Sequence, residues 1–333
     1  MTTRFAFIGF RHSHILDLLA GVEEHADAEV VACCEEDAAT REQLAAAGRV
    51  KITHSDFPAM LREVECDVVA IGDYYSRRGA LAIAALSAGR HVLGDKPLCT
   101  SLSELDEIER LSAQQGKLVS LQLDCRGQAS FRLAREIIRS GEIGDVTSFH
   151  IDAQHPLLPG TRPAWYFEPG KHGGTINDIG VHAFDFVPWM TGLDWGSITA
   201  ARSWNGKARE FPHFQDCAQL MATLSNGAGV LADFSYLAPD KLGYQLPQYW
   251  RLFIHGTKGM LETHLLAQEV TVIRDDSAAP EVRPVQPGIT RAYLDDFLHE
   301  LHGRGNLADL HSADALRASR LALEAQALAN RSA

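Results

Sequence analysis

Residues 67–97 read DVVAIGDYYSRRGALAIAALSAGRHVLGDKP, and this stretch decides the fold. Residues 67–72 form an apolar run, which is typical of a strand buried on both faces. Residues 79–88 follow with helical spacing, and Gly89 stands at the C-terminal cap position. Residues 91–93 (HVL) are predicted to form a second, short strand. A strand, a helix and another strand in this order predict two parallel strands joined by a helical crossover.

The same alternation extends over the first 125 residues. Further strands are predicted at 5–10, 29–34 and 117–123. Further helices are predicted after residue 14, at 37–47 and at 103–115, the last opened by Ser103 with Asp106 three positions on. This pattern predicts an α/β fold whose N-terminal part is a Rossmann doubly wound parallel sheet.

The pattern changes after about residue 145. Helices are predicted at 129–140 and 177–190, and longer alternating strands at 146–154, 198–204, 218–224, 229–236, 249–255, 259–264 and 269–273. Two final helices are predicted at 293–302 and 313–329. The second part is therefore expected to be an α+β domain with a large open, mostly antiparallel sheet. The predicted domains are 1–125, which binds NAD(P), and 126–333, which binds substrate and forms oligomers.

Composition excludes several classes of partner. The 333 residues are 46% hydrophobic and carry a net charge of −12, which disfavours nucleic acid and anionic membranes. No signal peptide and no apolar stretch of about 20 residues is apparent, so no membrane span is expected. The six cysteines show no CxxC pair, which favours buried free thiols in a reducing cytoplasm.

A nucleotide site is predicted where the first strand meets the first helix. The loop residues are Gly9, Phe10, Arg11, His12, Ser13 and His14. A strand, a turn and a helix start in this order suit a pyrophosphate, because the helix N-terminus is positive. Only Gly9 matches the Gly-x-Gly-x-x-Gly fingerprint, since Arg11 and His14 occupy the other glycine positions. An ordinary turn between strand and helix is the alternative.

Glu35 is the expected contact to the cofactor's adenosine ribose. It ends the second strand, where a carboxylate accepts hydrogen bonds from the two ribose hydroxyls. Glu36 beside it would repel a 2′-phosphate, and Arg41 is the one arginine nearby in the sequence. NAD is therefore favoured over NADP, while a solvated strand end is the alternative interpretation of Glu35.

Two distant motifs supply the groups that alcohol oxidation needs. Lys96 follows a predicted strand and precedes Pro97, which biases Lys96 toward an extended backbone. Asp178 and His182 lie four residues apart, so on a helix they project from one face. Histidine exchanges protons near neutral pH, so His182 is the expected base, with Asp178 bonding the same hydroxyl or orienting the ring. Protonated Lys96 would stabilise the developing alkoxide, and would be the base only if burial lowered its pKa by about three units.

These segments resemble the glucose-fructose oxidoreductase / inositol dehydrogenase / MocA (Gfo/Idh/MocA) family. The segment 67–98 is similar to the family's strand–helix–strand run ending in Glu-Lys-Pro, with Asp95 in place of the glutamate. Residues 140–144 (SGEIG), 165–166 (WY), 173–182 (GGTINDIGVH) and 255–259 (HGTKG) resemble later family motifs in the right order. The likeness spans nearly the whole chain.

The resemblance implies an NAD(P)-dependent enzyme whose Lys96–Pro97 peptide bond is cis. Further cofactor contacts are then expected at Asp73, Tyr74, Arg78 and Asp95. The sequence departs from the family at 73–78 (DYYSRR), where Thr-Pro-Asn…His is usual, and at 171–172, where Lys-His precedes the double glycine. Candidate substrate contacts, besides Lys96, Asp178 and His182, are Arg126, His155, Arg162, Trp165, Tyr166, Lys171 and His172.

No metal is predicted. Among the 15 histidines, His12 and His14 have the closest spacing, but no Cys or carboxylate partner is visible beside them. Asp178 and His182 would bind zinc only with the help of distant residues.

The expected function is hydride transfer between NAD and a ring secondary alcohol. The substrate would be a sugar, sugar acid, glycoside or cyclitol. One alternative is a glycosidase in which NAD is reduced and reoxidised within one cycle, so that transient oxidation drives elimination. Another is a ligand-sensing protein without turnover. The resemblance implies a homodimer or homotetramer formed through the open sheet.

Overall fold

The computed structural model describes residues 2–307 and 309–331. The described chain forms two compact units, and each unit is built from more than one segment. Unit 1 takes the described residues of Met1–Gln122, Gly170–Gly173 and Tyr293–Ser319, and unit 2 takes those of Leu123–Pro169, Gly174–Ala292 and Arg320–Ala333. The assignment of cofactor binding to 1–125 and substrate binding to 126–333 stays a prediction. Within the described residues, no helix is long and apolar enough to cross a membrane.

Unit 1 contains the predicted parallel sheet. Its strands are β1 (Thr3–Ile8), β2 (Ala28–Cys34), β3 (Val68–Ile71), β4 (His91–Gly94) and β5 (Val119–Leu121). They pair in parallel in the order β2-β1-β3-β4-β5. All four residues of β3 are buried, which explains its continuous apolar sequence. Because parallel strands end at one edge, the residues after β1 to β4 share that edge, namely Gly9, Glu35, Asp73 and Asp95.

The helices of this part are α1 (His14–Glu24), α2 (Ala38–Ala47), α3 (Phe57–Glu63), α4 (Tyr75–Ser87) and α5 (Leu102–Gln115). Three of these five helices, α2, α3 and α5, begin at a residue whose side chain caps the helix. The prediction that Ser103 opens α5 is wrong, because the Ser101 side chain caps the helix by accepting the Glu104 N–H at 3.3 Å. The sequence reading missed α3, a helix of only seven residues. It also placed the start of α4 four residues too late.

Unit 2 contains an eight-stranded sheet. The strands are β6 (Val146–Pro156), β7 (Trp195–Trp204), β8 (Cys217–Leu224), β9 (Gly229–Ala238), β10 (Arg251–Gly256), β11 (Gly259–His264), β12 (Glu269–Arg274) and β13 (Glu281–Pro284). Their order is β13-β12-β11-β10-β6-β9-β8-β7. Only β6 and β9 pair in parallel, so the sheet is mostly antiparallel as predicted. The short strand β13 was not predicted.

The predicted helix 177–190 consists of two different pieces. Residues Ile176–Gly180 form a π-helical turn, and α7 (Val181–Thr191) continues from it. A π turn is uncommon and often occurs at functional sites. The remaining helices are α6 (Ala129–Arg139), α8 (Ala292–Leu301) and α9 (Ser312–Arg331).

One face of the large sheet is exposed around β8 and β9. Met221 and Leu231 are 44% and 49% exposed, whereas their chain neighbours Leu220 and Val230 are buried. This alternation places an apolar surface on the solvent side of the sheet. Such a face is suited to covering by another protein surface.

All six cysteines are free and buried, as the sequence predicts. Burial raises the pKa of Cys33, Cys34 and Cys217 to about 12, so these three thiols are protonated at neutral pH. Their chemistry is that of small apolar side chains rather than nucleophiles.

Candidate active site

The loop after β1 can only be formed with glycine at position 9. Gly9 has φ +79°, and a Cβ there would come within 2.6–2.8 Å of Asp73 atoms, two of them backbone. The His12 N–H donates to the Gly72 carbonyl at 3.2 Å, which ties the loop to the end of β3. The one matching fingerprint glycine thus keeps the turn that a dinucleotide loop requires.

The start of α1 has an uncapped first turn. In the described structure Ser13, the residue before α1, makes no side-chain capping hydrogen bond. Asp37, Asp56 and Ser101 cap α2, α3 and α5 through their side chains, whereas α4, like α1, has no side-chain cap among the described residues. The first N–H groups of a helix without such a cap are suited to an anionic ligand, and this fits the pyrophosphate of NAD.

Glu35 is hydrogen-bonded to the loop after β1. It is fully buried, and its two carboxylate oxygens accept the Phe10 N–H at 2.6 Å and the Asp37 N–H at 2.8 Å. The Arg11 guanidinium lies 3.7 Å from the same carboxylate. Glu35 therefore joins the loop after β1 to the end of β2, and its contact with the ribose stays a prediction.

Buried Asp73 and two half-buried arginines form an ion cluster beside this loop. Arg11 Nε lies 3.4 Å from Asp73, and Arg77 Nη1 donates to Asp73 at 3.0 Å. Burial raises the pKa of Asp73 to about 6, although Arg11 opposes the rise. Arg77 also pairs with Glu36. The sequence reasoning counted only Arg41 near Glu36, because Arg77 is 41 positions away along the chain.

A second buried cluster holds the turn that carries Lys96. Arg78 Nη2 donates to the Asp95 carboxylate at 2.7 Å, and Arg78 Nη1 donates to the carbonyls of Asp95 and Pro97 at 3.0 and 3.1 Å. The Lys96–Pro97 peptide bond is cis, and Lys96 is only 4% exposed. Arg78 thus fixes the backbone on both sides of the predicted catalytic lysine.

His12 completes this cluster. Its Nδ1 is hydrogen-bonded to the Asp95 carboxylate, and its Nε2 lies 3.3 Å from the Tyr75 hydroxyl. Burial lowers the pKa of His12 to about 3, despite the nearby carboxylate. Burial alone would raise the pKa of Asp95, but Arg78, aided by His12, holds it well below its usual range.

Lys171 and His172 belong to unit 1, although they were predicted as substrate contacts. The Lys171 carbonyl accepts the Ser76 N–H at 3.0 Å, and its ammonium lies 5.0 Å from the centre of the Tyr74 ring. The His172 ring lies 5.2 Å from the Tyr75 ring. The structure therefore brings these two residues beside the first turn of α4, among the predicted cofactor contacts.

In unit 2, Asp178 is buried on the π turn and accepts a hydrogen bond from Tyr236. Asp178 is 1% exposed, and the Tyr236 hydroxyl donates to its Oδ2. Burial, reinforced by the Asp178 charge, raises the pKa of Tyr236 well above its usual value, so this hydroxyl keeps its proton. Sequence reasoning missed Tyr236 because the two residues are 58 positions apart.

Aromatic rings connect Asp178 to other predicted substrate contacts. The His155 ring lies 5.9 Å from Tyr236 and 5.3 Å from Trp250, and His155 Nδ1 is hydrogen-bonded to the Tyr249 hydroxyl. The Arg162 guanidinium lies 5.7 Å from the Tyr236 ring. The structure thus brings Asp178, His155 and Arg162 together around Tyr236.

Two other predicted substrate contacts, Trp165 and Tyr166, are buried in the same region. Their ring centres are 4.4 Å apart, and Arg162 lies 5.1 Å from the Tyr166 ring. Trp165 is 6% and Tyr166 is 2% exposed. The Tyr166 ring packs against Arg162 and the Trp165 ring packs against Tyr166, and the stacking of either ring on a sugar stays a prediction.

His182 lies in the first turn of α7 and is 5% exposed. Its Nδ1 is 3.7 Å from the Cys125 Sγ and 3.9 Å from an Asp124 carboxylate oxygen. Its ring contacts Trp250 edge to face, with centres 5.3 Å apart. One ring nitrogen therefore faces a thiol and a carboxylate, and the ring lies against an aromatic wall.

Trp250 itself is unusual. It has φ +55°, which is rare for a bulky residue and is found mainly where function requires it. Its indole Nε1–H is buried, and no described residue accepts a hydrogen bond from it. A buried donor of this kind, next to His155 and His182, is suited to a hydroxyl-bearing ligand.

Arg126 is held by Asp185 on α7. Arg126 Nε lies 3.1 Å from both carboxylate oxygens of Asp185, and Nη2 donates to one of them at 2.5 Å. The Arg126 side chain is 5% exposed and the Asp185 side chain is fully buried. The guanidinium is thus bound to Asp185 on α7, and contact of Arg126 with substrate stays a prediction.

Known proteins resemble this chain in sequence and fold. Residues 3–123 match the model for an oxidoreductase family with an NAD-binding Rossmann fold, and residues 131–262 match the model for the Gfo/Idh/MocA C-terminal domain. An inositol 2-dehydrogenase of Saccharopolyspora erythraea is 26% identical over 73% of this chain and 68% of its own. The matches to several other curated relatives cover only about half of those proteins or less, from 38% to 47%.

Two solved structures show the same fold over nearly the full length. A proposed oxidoreductase from Erwinia carotovora atroseptica has a TM-score of 0.87 at 25% identity and 99% coverage of both chains. An inositol dehydrogenase homolog from Azotobacter vinelandii, solved with NAD+, has a TM-score of 0.79 at 16% identity, covering 99% of this chain and 96% of its own. The two family models together match well over half of the chain. The model that matches residues 3–123 describes an NAD-binding domain. The chain therefore belongs to the Gfo/Idh/MocA family of NAD-binding oxidoreductases.

Proposed function

We propose that this protein transfers a hydride between NAD and a ring secondary alcohol of a sugar, sugar acid, glycoside or cyclitol. The observation that carries the proposal is a polar group formed by buried Asp178 and Tyr236 with half-buried His155, in which the Trp250 ring contacts both His155 and His182. This group offers proton donors and acceptors within aromatic walls. Walls of this kind with a few polar groups are typical of sites for small polar ligands. The inositol dehydrogenase among the relatives supports a polyhydroxylated ring as substrate.

Bound NAD supplies the acceptor for the hydride that leaves the carbinol carbon. We assign the cofactor to the loop Gly9–His14 and to the adjoining residues Glu35, Asp73, Tyr74, Arg78, Asp95, Lys96 and Pro97. The glycine turn at the end of β1 and the uncapped start of α1 support a pyrophosphate there. NAD remains favoured over NADP.

His182 removes the hydroxyl proton in this proposal. Its Nδ1 faces Asp124 and Cys125, so Nε2 is the nitrogen assigned to the substrate hydroxyl. Asp178 accepts a hydrogen bond from the substrate, with Tyr236 fixing one of its oxygens. Lys96 stabilises the developing alkoxide as a cation. Trp250 donates its indole N–H to another substrate oxygen.

We further propose that the open sheet forms a homodimer or homotetramer. The support is the apolar strip of β8 and β9, where Met221 and Leu231 are each more than two-fifths exposed. A protein with buried free thiols and a net charge of −12 is expected to work in the reducing cytoplasm, on a small molecule and not on nucleic acid or membranes.

The test is an NADH absorbance assay of the purified protein with NAD and a panel of sugars, glycosides and cyclitols. Accumulation of NADH with one substrate is the expected result. Glycoside cleavage that needs NAD but gives no net NADH would instead indicate the redox-neutral glycosidase. Ligand binding without either reaction would indicate the sensing protein.

Two pairs of variants then assign the chemistry. Lys96→Met is expected to lower kcat at least a hundredfold while NAD still binds, whereas Lys51→Met, at an exposed lysine, keeps full activity. His182→Ala is expected to abolish the pH-rate limb of the base, with the exposed His213→Ala as its control. Near-normal turnover of either catalytic variant contradicts its assigned role.

A further inference from the structure

We infer that Asp124, Cys125 and His182 form a binding site for a thiophilic divalent cation of the Zn²⁺ class. The three residues offer one oxygen, one sulfur and one nitrogen, and these ligand atoms all lie within 4.8 Å of one another. A thiolate, an imidazole and a carboxylate are the side-chain ligands that zinc prefers. No single motif revealed the site, because His182 is 57 positions from Cys125.

The distances are close to those of a tetrahedral site. Zinc bonds of about 2.3 Å to sulfur and 2.0–2.1 Å to nitrogen or oxygen place tetrahedral ligands about 3.6 Å (N to S) and 3.4 Å (N to O) apart. The observed separations from His182 Nδ1 are 3.7 Å to Cys125 Sγ and 3.9 Å to the Asp124 oxygen. The nitrogen–sulfur separation is within about 0.1 Å of the tetrahedral value, and the nitrogen–oxygen separation exceeds it by about 0.5 Å. Three protein ligands leave the fourth position for water.

The scaffold holds these ligands in position. Cys125 and Asp124 lie in the 3₁₀ turn Asp124–Gly127, and His182 lies on α7. The buried Arg126–Asp185 pair joins this turn to α7 directly beside the site. Cys125 and His182 are nearly buried, whereas the Asp124 side chain is 57% exposed. A cation can therefore reach the site from solvent on the side of the exposed Asp124 carboxylate.

A second group of possible ligands, His12, His14 and Asp95, is less suited to a cation. Asp95 already receives a 2.7 Å hydrogen bond from the Arg78 guanidinium, which is also buried. A divalent ion there would lie beside an arginine cation in a medium of low dielectric constant, which is strongly repulsive. This second group also lacks the sulfur that zinc favours.

Occupation of the site has a consequence that rests on the proposed function. A metal on Nδ1 fixes the imidazole proton on Nε2, so that His182 is no longer able to accept a proton from an alcohol. Zinc would then inhibit the dehydrogenase reversibly, because His182 cannot act as the base while the ion is bound to it. The binding site itself does not depend on that reaction.

The experiment is a titration of the full-length protein with CoCl₂, followed by its absorption spectrum. The expected result is a thiolate-to-cobalt charge-transfer band at one ion per chain, displaced by ZnCl₂. Cys125→Ser removes the band, while Cys217→Ser, at another buried free cysteine, retains it. Asp124→Asn, which changes an exposed side chain and spares the core, weakens cobalt affinity by at least about tenfold.

The outcomes separate the metal site from the proposed function. A wild-type protein without the band, or a Cys125→Ser protein with an equal band, overturns the site. If the wild-type protein shows the cobalt band and ZnCl₂ displaces it, but no dehydrogenase activity is found, the metal site stands and the proposed function is contradicted. If Cys125→Ser fails to fold, the Asp124→Asn protein decides, because unchanged cobalt affinity in it also overturns the site.

Discussion

The Arg126–Asp185 pair gives the sharpest test of the structure. Arg126→Met keeps the length of the side chain but removes the charge, and it leaves the fully buried Asp185 carboxylate without its guanidinium. Removing one partner of a buried ion pair costs about 3–5 kcal/mol, because the remaining charge stays in a poorly solvated place. We expect a loss of that size in the free energy of unfolding.

For the double variant we expect little change in the free energy of unfolding. In Arg126→Met with Asp185→Leu both charges are gone, and two apolar side chains of similar volume fill the space. Replacing a whole buried pair in this way is often neutral, so we expect a stability within about 1–2 kcal/mol of the wild type. Asp185→Leu alone leaves the Arg126 guanidinium buried without its carboxylate and is expected to cost a similar amount, about 3–5 kcal/mol, so the coupling energy between the two positions is at least about 4 kcal/mol.

Equilibrium unfolding in urea, followed by tryptophan fluorescence and by far-ultraviolet circular dichroism, measures these differences. The two probes check whether the transition is two-state in a chain with two compact units. If Arg126 instead serves the substrate, Arg126→Met raises KM and leaves the unfolding free energy unchanged. That result, or a double variant whose loss of stability equals the sum of the losses in Arg126→Met and Asp185→Leu, contradicts a structural role for the buried pair.

Three further perturbations follow from other parts of the structure. Tyr236→Phe removes the hydrogen bond to the buried Asp178 carboxylate, and steady-state kinetics should show kcat/KM about tenfold lower with an unchanged circular dichroism spectrum. Gly9→Ala places a Cβ at φ +79° and against Asp73 backbone atoms, so calorimetry should show weaker NAD affinity and a lower Tm. The control is Gly48→Ala, at φ +63° with no atom within 4 Å, which keeps NAD affinity. The folded pKa of His12 is about 3, below its unfolded value near 6.5, so its contribution to stability is complete above pH 6.5 and is lost as the pH falls toward 3; an NMR inflection of the His12 ring near pH 6 contradicts this.

Much of the fold follows from local patterns. The strands of the parallel sheet are buried on both faces, so continuous apolar runs such as β3 were visible in the sequence. The strands of the second sheet were visible as alternating polar and apolar residues, because one face of that sheet is exposed. The π turn at Ile176–Gly180 was not, because a 4-residue spacing does not distinguish it from an α-helix.

The candidate site was only partly predictable. Local motifs identified Lys96, Asp178 and His182, but Tyr236 and Trp250 lie on a strand and a loop with ordinary aromatic composition. Their importance comes from pairings between residues far apart in the chain, and local periodicity carries no information about these. Arg126 shows the converse limit: the residue was noticed, but its partner Asp185 was not visible without the fold.

The discontinuous make-up of unit 1 affects how the protein is made. Phe5 in β1 is fully buried, and the Phe297 ring on α8 lies 6.5 Å from it. The Gln122 side chain, just after β5, donates to the Tyr293 hydroxyl at 3.1 Å. Residues 293–319 leave the ribosome about 170 residues after the parallel sheet does, so a nascent chain holds that sheet with part of its apolar surface uncovered. During synthesis this surface is a natural substrate for chaperones, and a ribosome that pauses before residue 293 would prolong that exposure.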